Sequence, residues 1–234
     1  SEGEVLSLEE LLYGLMLNSG NDAAEVLATN FNGGREAFIK AMNDKAKSLG
    51  LSDTSFTNPT GLEGDGSQYT TTYDLLVISR FALYNFPLFA KIVSTFSYNI
   101  AQTDTHQAYF LENETNLLTS YPGVRGIKTG YTPEAGLCLV TYFDYSGHQI
   151  MGVLLGSENR RQEMKDLLDY SLKSVGITPP LMAFTNSIFS IPSNCLSATS
   201  LKCIGRTLLV STLPPCSNAR LLRSSLLSFI PRPP

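Results

Sequence analysis

The chain contains no tryptophan, two histidines and four cysteines among its 234 residues. These scarcities exclude several chemistries. No Cys-x-x-Cys pair and no Cys/His spacing suits zinc, so neither a metal site nor a cofactor is expected. His106 and His148 fall at hairpin turns and read as surface residues; nothing places a serine and an aspartate with either as a catalytic triad. "GLEGDGS" lacks the Gly-Lys-Ser/Thr of a phosphate loop and the spacing of an EF-hand, which leaves a polar turn. No apolar run reaches the roughly 18 residues of a membrane-spanning helix. The helical pattern sets in at Ser7, so close behind the first residue that the start reads as cut. Acidic residues are missing altogether from 178–234, which hold Lys202, Arg206, Arg220, Arg223 and Arg232. All 21 acidic residues lie in 1–177, and an acidic body argues against a nucleic-acid partner.

What is present divides the same way. Ser7 and Glu10 form a capping-box pattern ahead of Leu8, Leu11, Leu12, Leu15 and Met16 at helical spacing, and Asn18-Ser19-Gly20 should end that helix. A second helix is expected from Asn21 or Asp22 through "DAAEVLATNF", a third over "REAFIKAMNDKAKSLG" with Gly50 as its stop, and a fourth from Thr71 or Thr72 to the residue before Pro87. The Leu/Tyr/Phe stripe of that fourth helix reads as core. "FSYNIAQT" and "QAYFLEN" alternate like a hairpin, "GVRGIKTG" suggests a short strand, and "AGLCLVTYFDYSGHQIMGVLLGS" holds two apolar runs joined at Tyr145-Ser146-Gly147-His148. A last helix over "ENRRQEMKDLLDYSLKSVG" gathers Leu167, Leu168, Tyr170, Ser171 and Val175 near one side. Helices, then a mostly antiparallel sheet, then one closing helix make an α+β domain over 1–177. Residues 178–234 hold eight of the twelve prolines and keep neither a 3.6 nor a 2 period. They read as an unpatterned, disordered or out-of-frame tail, a divergent anchor segment being the other reading.

Two short motifs carry chemistry. In Lys128-Thr129-Gly130, an edge strand would point Lys128 and Gly130 one way and Thr129 the other, unless it twists at a site. The lysine offers a fixed charge, the threonine a donor to a carboxylate, and the glycine room for a substrate backbone. Without a partner the tripeptide is an ordinary strand end. Ser19-Gly20-Asn21 puts a hydroxyl and an amide two residues apart on a tight inter-helix loop, where both can face one cavity; the plain reading is helix capping.

Taken together with "FTNPTGLEGDGSQYTTTYDLL", "NLLTSYPGVRGIKTGYTPEAGLCLV" and "GVLLGSENRRQEMKDLLDYS", these motifs resemble the serine-type D-alanyl-D-alanine carboxypeptidases, the low-molecular-mass penicillin-binding proteins, over about residues 1–177. The resemblance implies a β-lactamase/transpeptidase-like fold, a peptidoglycan stem peptide ending in D-Ala-D-Ala as substrate, β-lactams as ligands of the intact parent, and action at the outer face of a bacterial membrane, with an anchor expected of the parent. It implies that Ser19 relays a proton, that Asn21 holds a substrate carbonyl and that Lys128 supports Ser19. Thr129 would bind the terminal carboxylate beside Gly130, the N–H of Tyr131 would serve an oxyanion hole, and Thr132 would line the strand. Arg160, with Arg161 as alternative, would stand near the carboxylate end. The family's S-x-x-K nucleophile motif occurs nowhere in the 234 residues, so an upstream piece carrying it is expected. Two other readings stay open: a non-catalytic homologue that binds D-Ala-D-Ala peptides or penicillin, and a class A β-lactamase with Glu63 as its deacylating glutamate.

Overall fold

The computed structural model describes residues 2–181 and 209–213. The first helix, α1 (Leu8–Asn18), starts on the expected capping box. The Ser7 hydroxyl accepts from the Glu10 N–H at 3.3 Å, and the Glu10 carboxylate accepts from the Ser7 N–H at 2.7 Å. Next come α2 (Asn21–Thr29) and α3 (Gly34–Ser48), then α4 (Thr72–Asn85), whose Thr71 cap accepts from the Asp74 N–H. Pro87 does more than end that pattern. It opens a short helix, α5 (Pro87–Val93), which leaves α4 at 112°. A proline at the first helical position gives up an N–H that would be unpaired anyway, so a break and a new start share one residue. No single described helix is long and apolar enough to cross a membrane.

The strands follow the expected order. A two-stranded ribbon of β1 (Ser97–Ile100) and β2 (Tyr109–Glu112) is antiparallel. After α6 (Leu117–Ser120), the main sheet runs β3 (Val124–Thr132), β4 (Gly136–Tyr145) and β5 (His148–Ser157), all antiparallel, and α7 (Arg160–Ser174) closes the body. The strand order is β3-β4-β5-β6. The outer strand β6 (Leu209–Leu213) comes from the segment expected to lack regular structure and pairs Gln149–Val153 of β5. Five residues of "LVSTL" thus depart from that expectation, because a bare edge on β5 leaves a row of backbone donors and acceptors that an extended segment can satisfy. The rest of the tail lies outside the described residues.

Helices cover both faces of this sheet. Leu139 and Phe143 of β4 with Ile150 and Leu154 of β5 face Met164, Leu167, Leu168 and Leu172 of α7. On the other face Met151, Val153 and Val140 meet Leu76 of α4 and Val93 of α5. Burial on both sides explains why β4 and β5 read as near-continuous apolar runs. A third cluster, Tyr13 and Leu17 of α1 with Ile92, Ile100 and Leu111, ties α1 to α5 and the ribbon.

Three sequence expectations need correction. On α7 the buried stripe is 164, 167, 168, 171 and 172; Tyr170 is 71% exposed because it sits off the i, i+3, i+4, i+7 row, and Val175 is 45% exposed because it is the C-cap, past the last turn. On α4 the buried residues are Thr72, Asp74, Leu76 and Ser79, whereas Tyr73 and Tyr84 are exposed. The Asp74 carboxylate accepts from the Thr54 hydroxyl at 2.6 Å, so that face is held by a polar contact that an apolar count overlooks. His106 is 7% exposed, not a surface residue; its Nδ1 lies 2.9 Å from the Gln107 carbonyl and its Nε2 3.8 Å from Glu10.

At the approach of β3 to α5, Gly126 has φ +119°, and a Cβ there would lie 2.6 Å from the Val93 carbonyl oxygen. Only glycine lets the strand lie this close to the helix. Phe143, fully buried between Tyr121 and Tyr145, is the other keystone. Phe143→Ala is expected to destabilise the fold by about 3–5 kcal/mol, read as a lower urea midpoint with an unchanged slope.

Candidate active site

Four segments meet at the open edge of β3. The first is the α1–α2 junction. Ser19 is the C-cap of α1 with φ 54° and ψ 37°, a left-handed conformation in which glycine or asparagine is the usual residue. The cap of α2 is Gly20, with no side-chain cap bond, so Ser19 does not perform the capping its residue type suggests. Its hydroxyl instead accepts a hydrogen bond from the Lys128 ammonium, 109 residues away in sequence. Asn21 stands exposed at the first position of α2, next to this pair in the chain.

The second segment is β3 itself, paired Lys128↔Val140, Thr129↔Leu139 and Gly130↔Cys138. Thr129 is buried and Lys128 half-buried. The third is the stretch between β2 and α6, which brings in Glu114. Its Oε2 accepts from the Thr129 hydroxyl at 3.3 Å and lies 3.9 Å from the Lys128 ammonium. Strand alternation would separate the two side chains, but a carboxylate set against an open edge reaches both. The fourth is the start of α7. The Arg160 guanidinium donates to the Gly130 carbonyl at 2.9 Å and to the Cys138 carbonyl at 3.4 Å, across one β3–β4 pair. Arg160 and Arg161 share a small cleft with Glu114 and Thr129.

The charges oppose one another. Burial holds the Lys128 ammonium below the usual lysine range; Glu114 pulls it back up, and Arg160 pushes it further down. A lysine so placed keeps a tight hold on a hydroxyl yet releases a proton more readily than a surface lysine.

Not every expected residue is brought here. The Thr132 hydroxyl accepts from the Ala135 N–H at 3.1 Å within the β3–β4 turn and also bonds Glu63. Glu63 accepts from the Glu134 N–H at 2.9 Å, so the residue weighed as a deacylating glutamate is engaged with that turn. The Tyr131 side chain is exposed. Glu114 was not legible as a site residue, because a lone glutamate in "LENETNLL" carries no motif. Among the described residues no group of His, Cys, Asp and Glu is arranged to hold a metal ion.

A hydroxyl held by a half-buried lysine, a second hydroxyl on the same edge strand and an arginine at the end of that strand are brought together at the edge of β3. The chain belongs to the D-alanyl-D-alanine carboxypeptidase family, peptidase S11, which matches residues 1–159. It is 34% identical over 180 residues to the D-alanyl-D-alanine carboxypeptidase DacF of Bacillus subtilis, covering 76% of this chain and 46% of that protein. Its fold superposes on the crystal structure of the Streptomyces K15 DD-transpeptidase with TM-score 0.69 and 35% identity, over 73% of this chain and 70% of that one. Against penicillin-binding protein D2 of Listeria monocytogenes in its cefotaxime-bound form the TM-score is 0.62 at 31% identity, over 73% and 66%. The fold is therefore transpeptidase-like, as expected. The chain spans about half the length of the DacF relative.

If Glu114 and Arg160 act on Lys128 with opposite sign, Glu114→Gln lowers the pH at which the ammonium titrates and Arg160→Gln raises it. Lysine-selective carbon NMR across alkaline pH reads both shifts.

Proposed function

We propose that this chain forms the larger part of the catalytic domain of a serine-type D-Ala-D-Ala carboxypeptidase, which removes the terminal D-alanine of peptidoglycan stem peptides. The hydrogen bond from Lys128 to Ser19 carries the reading, because the bond joins two motifs that have no structural reason to meet. The nucleophilic serine belongs to an S-x-x-K segment outside these residues. Its oxygen attacks the carbonyl between the two D-alanines, the C–N bond breaks, and an ester forms. The serine proton passes through the Ser19 hydroxyl to the leaving amine, and the ammonium of Lys128 keeps that hydroxyl aligned. Thr129 donates to the terminal carboxylate, and Arg160 adds positive charge at the same end while bracing β3 against β4. Asn21 holds the peptide carbonyl, Gly130 leaves room for the substrate backbone, and the N–H of Tyr131 stabilises the oxyanion. Water then attacks the ester carbonyl, the bond from the acyl carbon to the serine oxygen breaks, the shortened peptide leaves as its carboxylic acid, and a proton of the water returns to the serine oxygen. Penicillin-type β-lactams are ligands of the same site, and the whole protein works at the outer face of a bacterial membrane, held there by an anchor.

The test joins the chain to the S-x-x-K-bearing segment of a relative such as DacF. Release of one D-alanine from an acetylated Lys-D-Ala-D-Ala peptide is expected, and Lys128→Met should lower kcat/KM by about 10²–10³-fold. Binding of the peptide with no release of D-alanine would favour a non-catalytic homologue. The chain without that segment is expected to keep no fluorescent penicillin after denaturation; a label mapped to one of its own serines would place the nucleophile inside it.

A further inference from the structure

Glu114 lines the cleft yet has no role in the proposed mechanism, and its position is built. Its neighbours on either side are pinned. Asn113 is buried, donates to the carbonyls of Val93 and Thr95 at 3.2 and 3.1 Å, and accepts from the Thr115 N–H at 2.9 Å. Thr115 is buried as well, and the Glu114 N–H donates to the Leu17 carbonyl at 3.3 Å. The main chain here is thus tied to α1 and to the end of α5, and it holds the Glu114 carboxylate on the Thr129 hydroxyl and toward the Lys128 ammonium. The Thr129 hydroxyl is the group assigned above to a substrate carboxylate. The Glu114 side chain is itself 48% exposed, so it can turn out to solvent with no movement of the backbone.

We propose that Glu114 is a displaceable internal occupant of the carboxylate seat, a specificity-determining residue that substrate must move aside. It rests on the proposed function in one respect, the assignment of the seat to the terminal carboxylate. With the seat empty, Glu114 supplies the acceptor for Thr129 and a counter-charge for Lys128, so a hydroxyl and a half-buried ammonium keep an anionic partner. On binding, the terminal carboxylate takes the Thr129 hydroxyl and Glu114 rotates away. Displacement costs affinity only to ligands that use the seat as anions. The seat therefore favours a peptide that fills the rest of the cleft over small free carboxylates, which lack the other contacts needed to evict Glu114.

The experiment titrates acetyl-D-Ala-D-Ala and its C-terminal amide into the full 234-residue chain and into Glu114→Gln, Glu114→Ala and Thr129→Val, by isothermal calorimetry or NMR. Removing the internal carboxylate should tighten binding of the acid by about tenfold, the scale of one partly buried charge contact, and leave the amide within about twofold. Both Glu114 variants should agree, which separates loss of charge from a local change of shape. The gain should shrink at high salt, since it is electrostatic. Thr129→Val should weaken the acid and spare the amide. Unchanged or weaker binding of the acid by the Glu114 variants, with Thr129→Val still weakening it, would overturn the inference and leave the function standing. An acid that binds no variant, or binds without regard to Thr129, would overturn the seat and the inference with it.

Discussion

A half-buried ammonium beside an open sheet edge must be given oxygens, and much of this structure can be understood as meeting that need. Lys128 is pressed down by desolvation and by Arg160, pulled back up by Glu114, and donates a hydrogen bond to the Ser19 hydroxyl. Each of these partners comes from a different element. The site therefore exists only where α1, the segment after β2, β3 and α7 are all held in register at once.

The two-faced sheet supplies that register. Leu168 and Leu172 of α7 pack on Phe143 and Ile150, which puts the start of α7 at the Gly130–Cys138 pair and lets Arg160 clamp both strands. On the opposite face Val93 of α5 lies against Gly126, and Ile92 belongs to the cluster of Tyr13 and Leu17. Through α5 the end of α1 is brought up to β3. The left-handed turn at Ser19 completes the approach, a backbone strain of roughly 1–2 kcal/mol that aims a hydroxyl at a lysine. Cores that look like ordinary packing thus decide where the polar groups meet.

Much of the fold was legible. The capping box at Ser7, the stop at Ser19-Gly20, the hairpins and the helix after Ser157 announce themselves through local patterns, because caps, turns and two-residue alternation depend on near neighbours. Lys128-Thr129-Gly130 and Ser19-Gly20-Asn21 were legible as a pair through their resemblance to a family. Where apolar residues were read as core by type alone, as with Tyr73, Tyr84 and Tyr170, the reading failed, because burial depends on which side of a helix meets a neighbour. His106 failed for the same reason in reverse, since a turn can be covered by α1. β6 could not be seen as a strand, because its partner β5 lies about 60 residues away and the segment has no period of its own.

The sequence by itself determined the order of the longer helices and of the strands within residues 1–177, the family, and which residues could act as acid, hydroxyl and carboxylate binder. Those follow from local spacing and residue chemistry. Only the tertiary structure decided that the Ser19 side chain goes to Lys128 and not to the N-terminus of α2, that Thr132 and Glu63 belong to a turn, that Arg160 braces two strands, and that Glu114 sits on the Thr129 hydroxyl. The physical reason is that a polar side chain goes to whichever partner lies within about 3 Å once the backbone is packed. Distances of that size between residues 15 to 109 apart are set by the close packing of the whole core, and no local pattern records them.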